Sequence, residues 1–357
     1  MRLPKFRSLP EQSSLCIGCL LLCTLANLAC FGLGGCATRT MPDNCPLAAT
    51  RGHERTWTRT SNRDDDDHSI ISDQDIAARL EVEGGELVEA KRAKTSEELA
   101  AGLERAHADL PPGSVTTRAG DSPMDLPTLY RTACEGVLVV ASIYQCDRCD
   151  QWHTGGSATA FVLSRDGLCV TNHHVLAEHE HEHTLYPFVM AHDGTVFSID
   201  EILASNEEDD VAIFRLGAGQ RDGRSITIDE ARLTPIPLVE GSPVGTPIAL
   251  IAHPDRLFYT MTSGIISRRI TNESIMPGET RTDEVSVTCD YAVGSSGGPI
   301  LDDRGRAVGM VMATHTIFAG KGRSREPQMV VRKCVPAERI LDVISKEGRV
   351  EGRGIVP

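Results

Sequence analysis

The segment Gly294-Ser295-Ser296-Gly297-Gly298-Pro299 follows the β-like run Val285 to Cys289 and leads into another, Ile300 and Leu301. Glycines crowd one serine. A nucleophilic serine needs a turn that exposes its oxygen, lets a substrate backbone approach, and aims backbone N–H groups at the place where an oxyanion forms. Gly294 and Ser296 are the candidate donors. Serine is weakly nucleophilic by itself, so a base must lie within hydrogen-bond reach and a third group must orient that base. Two upstream segments offer them. Thr171-Asn172-His173-His174-Val175 ends a strand-like run with histidine, and Asp209-Asp210-Val211-Ala212-Ile213 begins one with aspartate. Each segment alone has a plain structural explanation as a turn, a surface histidine or a loop aspartate. Together they supply base, orienting acid and nucleophile in the order His, Asp, Ser within one β-rich region.

Residues after Leu126 form short β-branched and aliphatic runs separated by Gly, Asp, Asn and Pro. Strands are expected at Gly136 to Tyr144, Ala158 to Leu163, Leu168 to Thr171, Thr184 to Met190 and Val211 to Leu216. More are expected at Pro247 to Ala252, Thr262 to Ile270, Val285 to Cys289, Pro299 to Leu301 and Ala307 to Ala313. Many short strands with few long helical patterns point to an all-β sandwich or barrel. Pro336 opens one helix over Ala337 to Ser345, with Ile340, Val343 and Ile344 on one side.

These motifs resemble the trypsin-like (chymotrypsin-fold) serine peptidases, in particular their bacterial exported branch, which includes the HtrA-type proteases. The likeness covers roughly residues 126–346. Gly156 to Thr159 with Phe161 to Leu163 is similar to the strand before the histidine, Gly245 to Pro254 and Thr262 to Ser267 to the middle strands, and Cys334 to Ile340 to the closing strand and helix. The resemblance implies a double six-stranded β-barrel with a C-terminal helix and an active site between the barrels. It implies a serine endopeptidase acting on protein or peptide substrates: His174 is the general base, Asp210 holds its tautomer, Ser296 attacks, and the Gly294 and Ser296 N–H groups bind the oxyanion. His173 is the competing base, but the family's histidine directly precedes a small apolar residue, here Val175. The alternative is a latent protease-fold binding module or chaperone. No Ile-Val-Gly-Gly type segment precedes the domain, so activity without cleavage is expected. With so short a stretch after the last helix, a PDZ domain is not expected.

Asp290 lies six residues before Ser296, where trypsin-like enzymes place a carboxylate for Arg or Lys of the substrate, so basic substrate side chains are one expectation. His315 is either a rim residue or a specificity determinant. No cofactor is required. Cys146, Cys149 and His153 form a Cys-x2-Cys-x3-His group that could hold structural zinc, although a closed tetrahedral site needs a fourth ligand. Disulfides among Cys134, Cys146, Cys149, Cys169, Cys289 and Cys334 account for the same cysteines. His179, His181 and His183 would share one face of a strand, or simply line a polar loop.

The N-terminus carries Arg2, Lys5 and Arg7, then runs almost uncharged from Leu15 to Gly35. This reads as an export signal over residues 1–36, its end Leu33-Gly34-Gly35-Cys36 resembling a lipobox that lipidates Cys36. An uncleaved anchor is the alternative, since about 20 apolar residues cross a bilayer. Either places the rest of the chain in an oxidising compartment, a bacterial envelope location tethered to the membrane or periplasmic. Residues 37–125 read as a mostly disordered acidic tether, with one short helix near Ser96 to Ala108 announced by the Thr95 and Glu98 capping pattern. Residues 126–348 form the protease-like domain and 349–357 a tail. A formal net charge of −14 with no basic stripe excludes nucleic acid as a partner.

Overall fold

The structure, a computed structural model, describes residues 71–106, 110, 115, 122–177, 181–272, 282–320 and 326–345. The export signal, Cys36, the Asp64 to Asp67 run, His179 and the 349–357 tail lie outside these residues. Three helices come first: α1 (Asp73–Glu89), α2 (Ser96–Arg105) and α3 (Leu126–Cys134). The first sheet follows, with β1 (Val137–Gln145), β2 (Trp152–Val162), β3 (Leu168–Thr171), the single turn α4 (His173–Leu176), β4 (Tyr186–Met190), β5 (Val196–Asn206), β6 (Val211–Arg221) and β7 (Arg224–Ile226). The second contains β8 (Pro247–Ala252), β9 (Thr260–Asn272), β10 (Thr282–Val287), β11 (Pro299–Leu301), β12 (Ala307–Ala319) and β13 (Glu326–Pro336), and α5 (Ala337–Ile344) closes the domain.

The first sheet runs β3-β2-β1-β4-β5-β6-β7, and β3 also pairs with β6 from Leu168↔Arg215 to Thr171↔Ala212. That pairing closes β1 to β6 into a ring and leaves β7 as a hairpin extension. The second sheet is a closed barrel, β10-β13-β12-β11-β8-β9. The double six-stranded architecture expected from the family resemblance is thus present.

Strand β1 shows why its sequence is almost continuously apolar. Successive side chains point to opposite faces. Leu138 and Val140 enter the core of the first barrel with Val162, Phe197 and Phe214. Val137, Val139 and Ile143 face outward into a second apolar layer, shared with Leu80, Leu87, Leu129, Ile251 and Ile340. Both faces are buried, so no polar alternation survives. The second barrel has its own core of Leu250, Ile266, Val285, Val287, Ile300 and Val311.

Strand β5 and the tether both depart from the sequence reading. Strand β5 was hidden because Ser198, Asp200 and Glu201 break its apolar run, and its ladder with β6 shifts register at three places. The larger correction concerns the tether. Over residues 73–105 it is two helices packed on the first barrel, with Leu80, Leu87, Leu99 and Leu103 buried. Burial of each leucine is worth roughly 2 kcal/mol, enough to order a segment whose composition looks solvated. Glu83 of α1 is buried too and accepts N–H bonds from Asp222 (2.7 Å) and Gly223 (3.4 Å). Helix α2 begins with the anticipated capping box: Glu98 N–H donates to Thr95 Oγ1 at 3.2 Å and Thr95 N–H to Glu98 Oε2 at 2.8 Å. Among the described residues, no helix is long and apolar enough to cross a membrane.

Candidate active site

Strand β3 ends at Thr171 and the chain turns at once into α4, which carries both histidines. Adjacent residues of a helical turn project about 100° apart, so the two rings meet different neighbours. His173 Nδ1 lies 2.7 Å from Ser205 Oγ. His174 Nδ1 lies 2.8 Å from Asp210 Oδ2 and 3.0 Å from Oδ1, and the His174 backbone N–H also donates to Oδ1 at 3.0 Å. The Asp210 carboxylate therefore grips both the ring and the main chain of His174. Donation from Nδ1 leaves Nε2 as the basic nitrogen of the neutral ring.

Asp210 owes its aim to the turn before β6. Asn206 Oδ1 accepts from Asp209 N–H at 3.0 Å, Asn206 Nδ2 donates back to Asp209 Oδ2 at 3.0 Å, and Asp210 sits in the left-handed region at φ 54°. Aspartate tolerates that conformation better than most residues. The buried Asn172 adds an Nδ2 bond to the Asp210 carbonyl at 3.0 Å. Burial pushes the Asp209 carboxyl up, while Arg339 of α5, 3.8 Å away, opposes the shift.

The serine loop joins β10 to β11. Gly294 has φ 96° and Gly297 φ 85°; a Cβ on Gly294 would strike the His253 carbonyl, and one on Gly297 the Thr159 carbonyl. Only glycine fits either place. Ser296 between them is half-buried, whereas Ser295 is fully buried. Among the described residues, the Gly294 and Ser296 N–H groups donate to no protein acceptor. The loop is held from the first barrel by the buried Thr159 of β2. Its N–H donates to Ser296 O at 2.8 Å and its Oγ1 to Gly294 O at 2.9 Å, while its own carbonyl accepts from Thr171 Oγ1 at 2.7 Å.

Sequence reasoning missed Thr159, whose only local sign is a small polar residue in an otherwise apolar stretch. It also missed the turn after β8. There His253 is fully buried, and its Nδ1 accepts the Tyr259 N–H at 3.0 Å. Burial pushes its pKa down to about 3. Asp255 N–H reaches Val293 O at 2.7 Å, tying this turn to the serine loop. Asp255, Arg256 and Tyr259 all take positive φ (48°, 65° and 56°), a strained cluster that no glycine announced.

The Asp290 carboxylate forms an ion pair with Arg332 of β13 and is largely open to solvent. His315 is exposed on β12 opposite Val331. None of Cys134, Cys146, Cys149, Cys169, Cys289 and Cys334 forms a disulfide. Burial raises the thiol of Cys134 to about 12 and that of Cys289 to about 11, and those of Cys169 and Cys334 also go up. Cys146, Cys149 and His153 do converge, at the β1–β2 hairpin end. His181 and His183 lie in a loop rather than on one strand face.

Residues 158–310 match the family model of the trypsin-like peptidase domain. A DegP-like periplasmic serine endoprotease of Brucella suis is 27% identical over 194 residues, covering 54% of this chain and 34% of the relative. The chloroplastic Protease Do-like 1 of Arabidopsis thaliana is 29% identical over 164 residues, 45% of this chain and 34% of the relative. The matched region thus spans about a third of these relatives' length. Among solved structures, an HtrA-type protease with tripeptide aligns at TM-score 0.42 and 20% identity, covering 60% of this chain and 62% of that one.

Proposed function

We propose, from the premise that this chain carries a trypsin-like peptidase domain, that it is a serine endopeptidase acting through His174, Asp210 and Ser296. The observation that carries the reading is the three-point hold of Asp210 on His174, which commits Nδ1 and frees Nε2 for proton transfer. In this mechanism Ser296 Oγ attacks the scissile carbonyl while His174 Nε2 takes the hydroxyl proton. The carbonyl oxygen becomes an oxyanion between the N–H groups of Gly294 and Ser296. Collapse breaks the C–N bond, His174 returns the proton to the departing amine, and water then releases the acyl group by the same steps. Protein or peptide chains are the substrates, and the mechanism needs no cofactor.

The test is labelling of the full chain by a fluorophosphonate probe, with Ser296→Ala as control. Labelling of the wild type alone supports the reading. A folded wild type that stays unlabelled overturns it in favour of a latent binding module.

Export to the periplasm is part of the same proposal. It is supported by the basic start and apolar stretch of residues 1–36 and by the likeness to the periplasmic endoprotease of Brucella suis. The Leu33 to Cys36 motif supports lipidation at Cys36, which incorporation of a labelled fatty acid, absent from Cys36→Ser, would check.

A further inference from the structure

We propose that Cys146, Cys149 and His153 supply three ligands to a thiolate-seeking divalent cation, the fourth tetrahedral position being left to solvent, with zinc the best chemical match. The ligand atoms of the three residues all lie within 4.8 Å of one another, and Cys149 Sγ is 3.1 Å from His153 Nε2. Zinc with sulfur at 2.3 Å and nitrogen at 2.0 Å sets its ligands about 3.5–3.8 Å apart at tetrahedral angles, so small side-chain movements suffice.

The backbone builds this cluster deliberately. Cys146 N–H donates to Gln151 O at 3.0 Å, Asp150 N–H to Cys146 O at 2.9 Å, and Asp150 turns through φ 56°. Gln145 Nε2 braces that turn through Asp150 Oδ1 at 2.8 Å. Both thiols and the first imidazole of β2 are thereby gathered at one hairpin end. The cysteines at 134, 169, 289 and 334 lie buried in the apolar cores, apart from this hairpin end. A further imidazole borders the site: His183 stacks on Tyr144 at 4.9 Å and its Nδ1 is 3.6 Å from Asp147 Oδ2.

The site has a structural use. Trp152, between the cysteines and His153, packs so closely over Gly85 of α1 that a Cβ there would overlap it. Thr154 gives Glu81 of α1 two bonds, from N–H at 2.9 Å and Oγ1 at 2.8 Å. A cation at the hairpin end would fix the surface on which α1 docks.

The experiment uses the full chain, purified without chelator. Metal analysis is expected to return one equivalent of zinc at this site, absent from Cys149→Ser and from His153→Gln. Cobalt substitution should give a thiolate-to-metal charge-transfer band that both variants lose. Zinc should raise the unfolding midpoint of the wild type and leave that of either variant unmoved. It should also shield Cys146 and Cys149 from alkylation until a chelator is added. Zinc content unchanged in both variants would overturn the proposal. So would a Cys146–Cys149 disulfide in protein that takes up no cobalt after reduction. Should one variant fail to fold, the cobalt spectrum and alkylation pattern of the wild type still decide the matter.

Discussion

The hydroxyl of Thr159 donates a 2.9 Å hydrogen bond to the carbonyl of Gly294, so a strand of the first barrel orients the loop that carries Ser296 in the second. Thr159→Val keeps the side-chain shape and removes the donor. Leaving a buried carbonyl without its partner costs about 1–3 kcal/mol. If that cost falls on the oxyanion geometry, kcat should drop by about one to two orders of magnitude with KM little changed. Steady-state kinetics beside a thermal melt would separate this from plain destabilisation, which would lower the melting point and spare kcat.

Asp210 and the two histidines make a sharper contrast. Asp210→Asn frees Nδ1 to take the wrong tautomer and should cost on the order of 10⁴ in kcat. His174→Ala should be at least as damaging. His173→Ala, which loses only the contact with Ser205, should retain activity within a few-fold. Peptide hydrolysis by the three variants measures all of this, and an inactive but folded His173→Ala would reverse the assignment.

Leu80 of α1 is fully buried although it lies in a segment that reads as tether. Leu80→Ala should destabilise the domain by about 2–5 kcal/mol, as a large-to-small change in a core does. In a solvated tether the same change would be neutral. Denaturant unfolding of wild type and variant distinguishes the two.

His253 makes stability depend on pH. Its folded pKa of about 3 lies below the ordinary 6.5, because burial disfavours the imidazolium. Between these values the unfolded chain binds the proton and the folded one does not. Stability is therefore full above about 6.5 and falls as pH drops towards 3, by up to about 1.4 kcal/mol per unit from this group. Of two folded proteins melted across that range, His253→Asn should show the shallower slope.

Much of the site was legible because its chemistry is local. The glycines at 294 and 297 announce a turn that admits no side chain, and the capping pair Thr95 and Glu98 announces α2. The bounds of β3, β8 and β11 coincide with their apolar runs, since a pleated strand writes its period into a few consecutive residues. Where polar residues interrupt the run, as in β5, the signal fails.

Sequence alone determined the order of the three catalytic candidates, the all-β character of the domain and the cysteine–histidine grouping, all properties of neighbouring residues. Tertiary structure decided what depends on distant ones. Asp210 chose His174 over His173 from 36 residues away, and Arg332 occupied the Asp290 carboxylate. Thr159 reached Gly294 across 135 residues, and an acidic segment became two docked helices because the barrel offered its leucines a surface. Local chemistry restricts what a residue can do; only the closed chain sets which neighbour desolvates, pairs with or orients it.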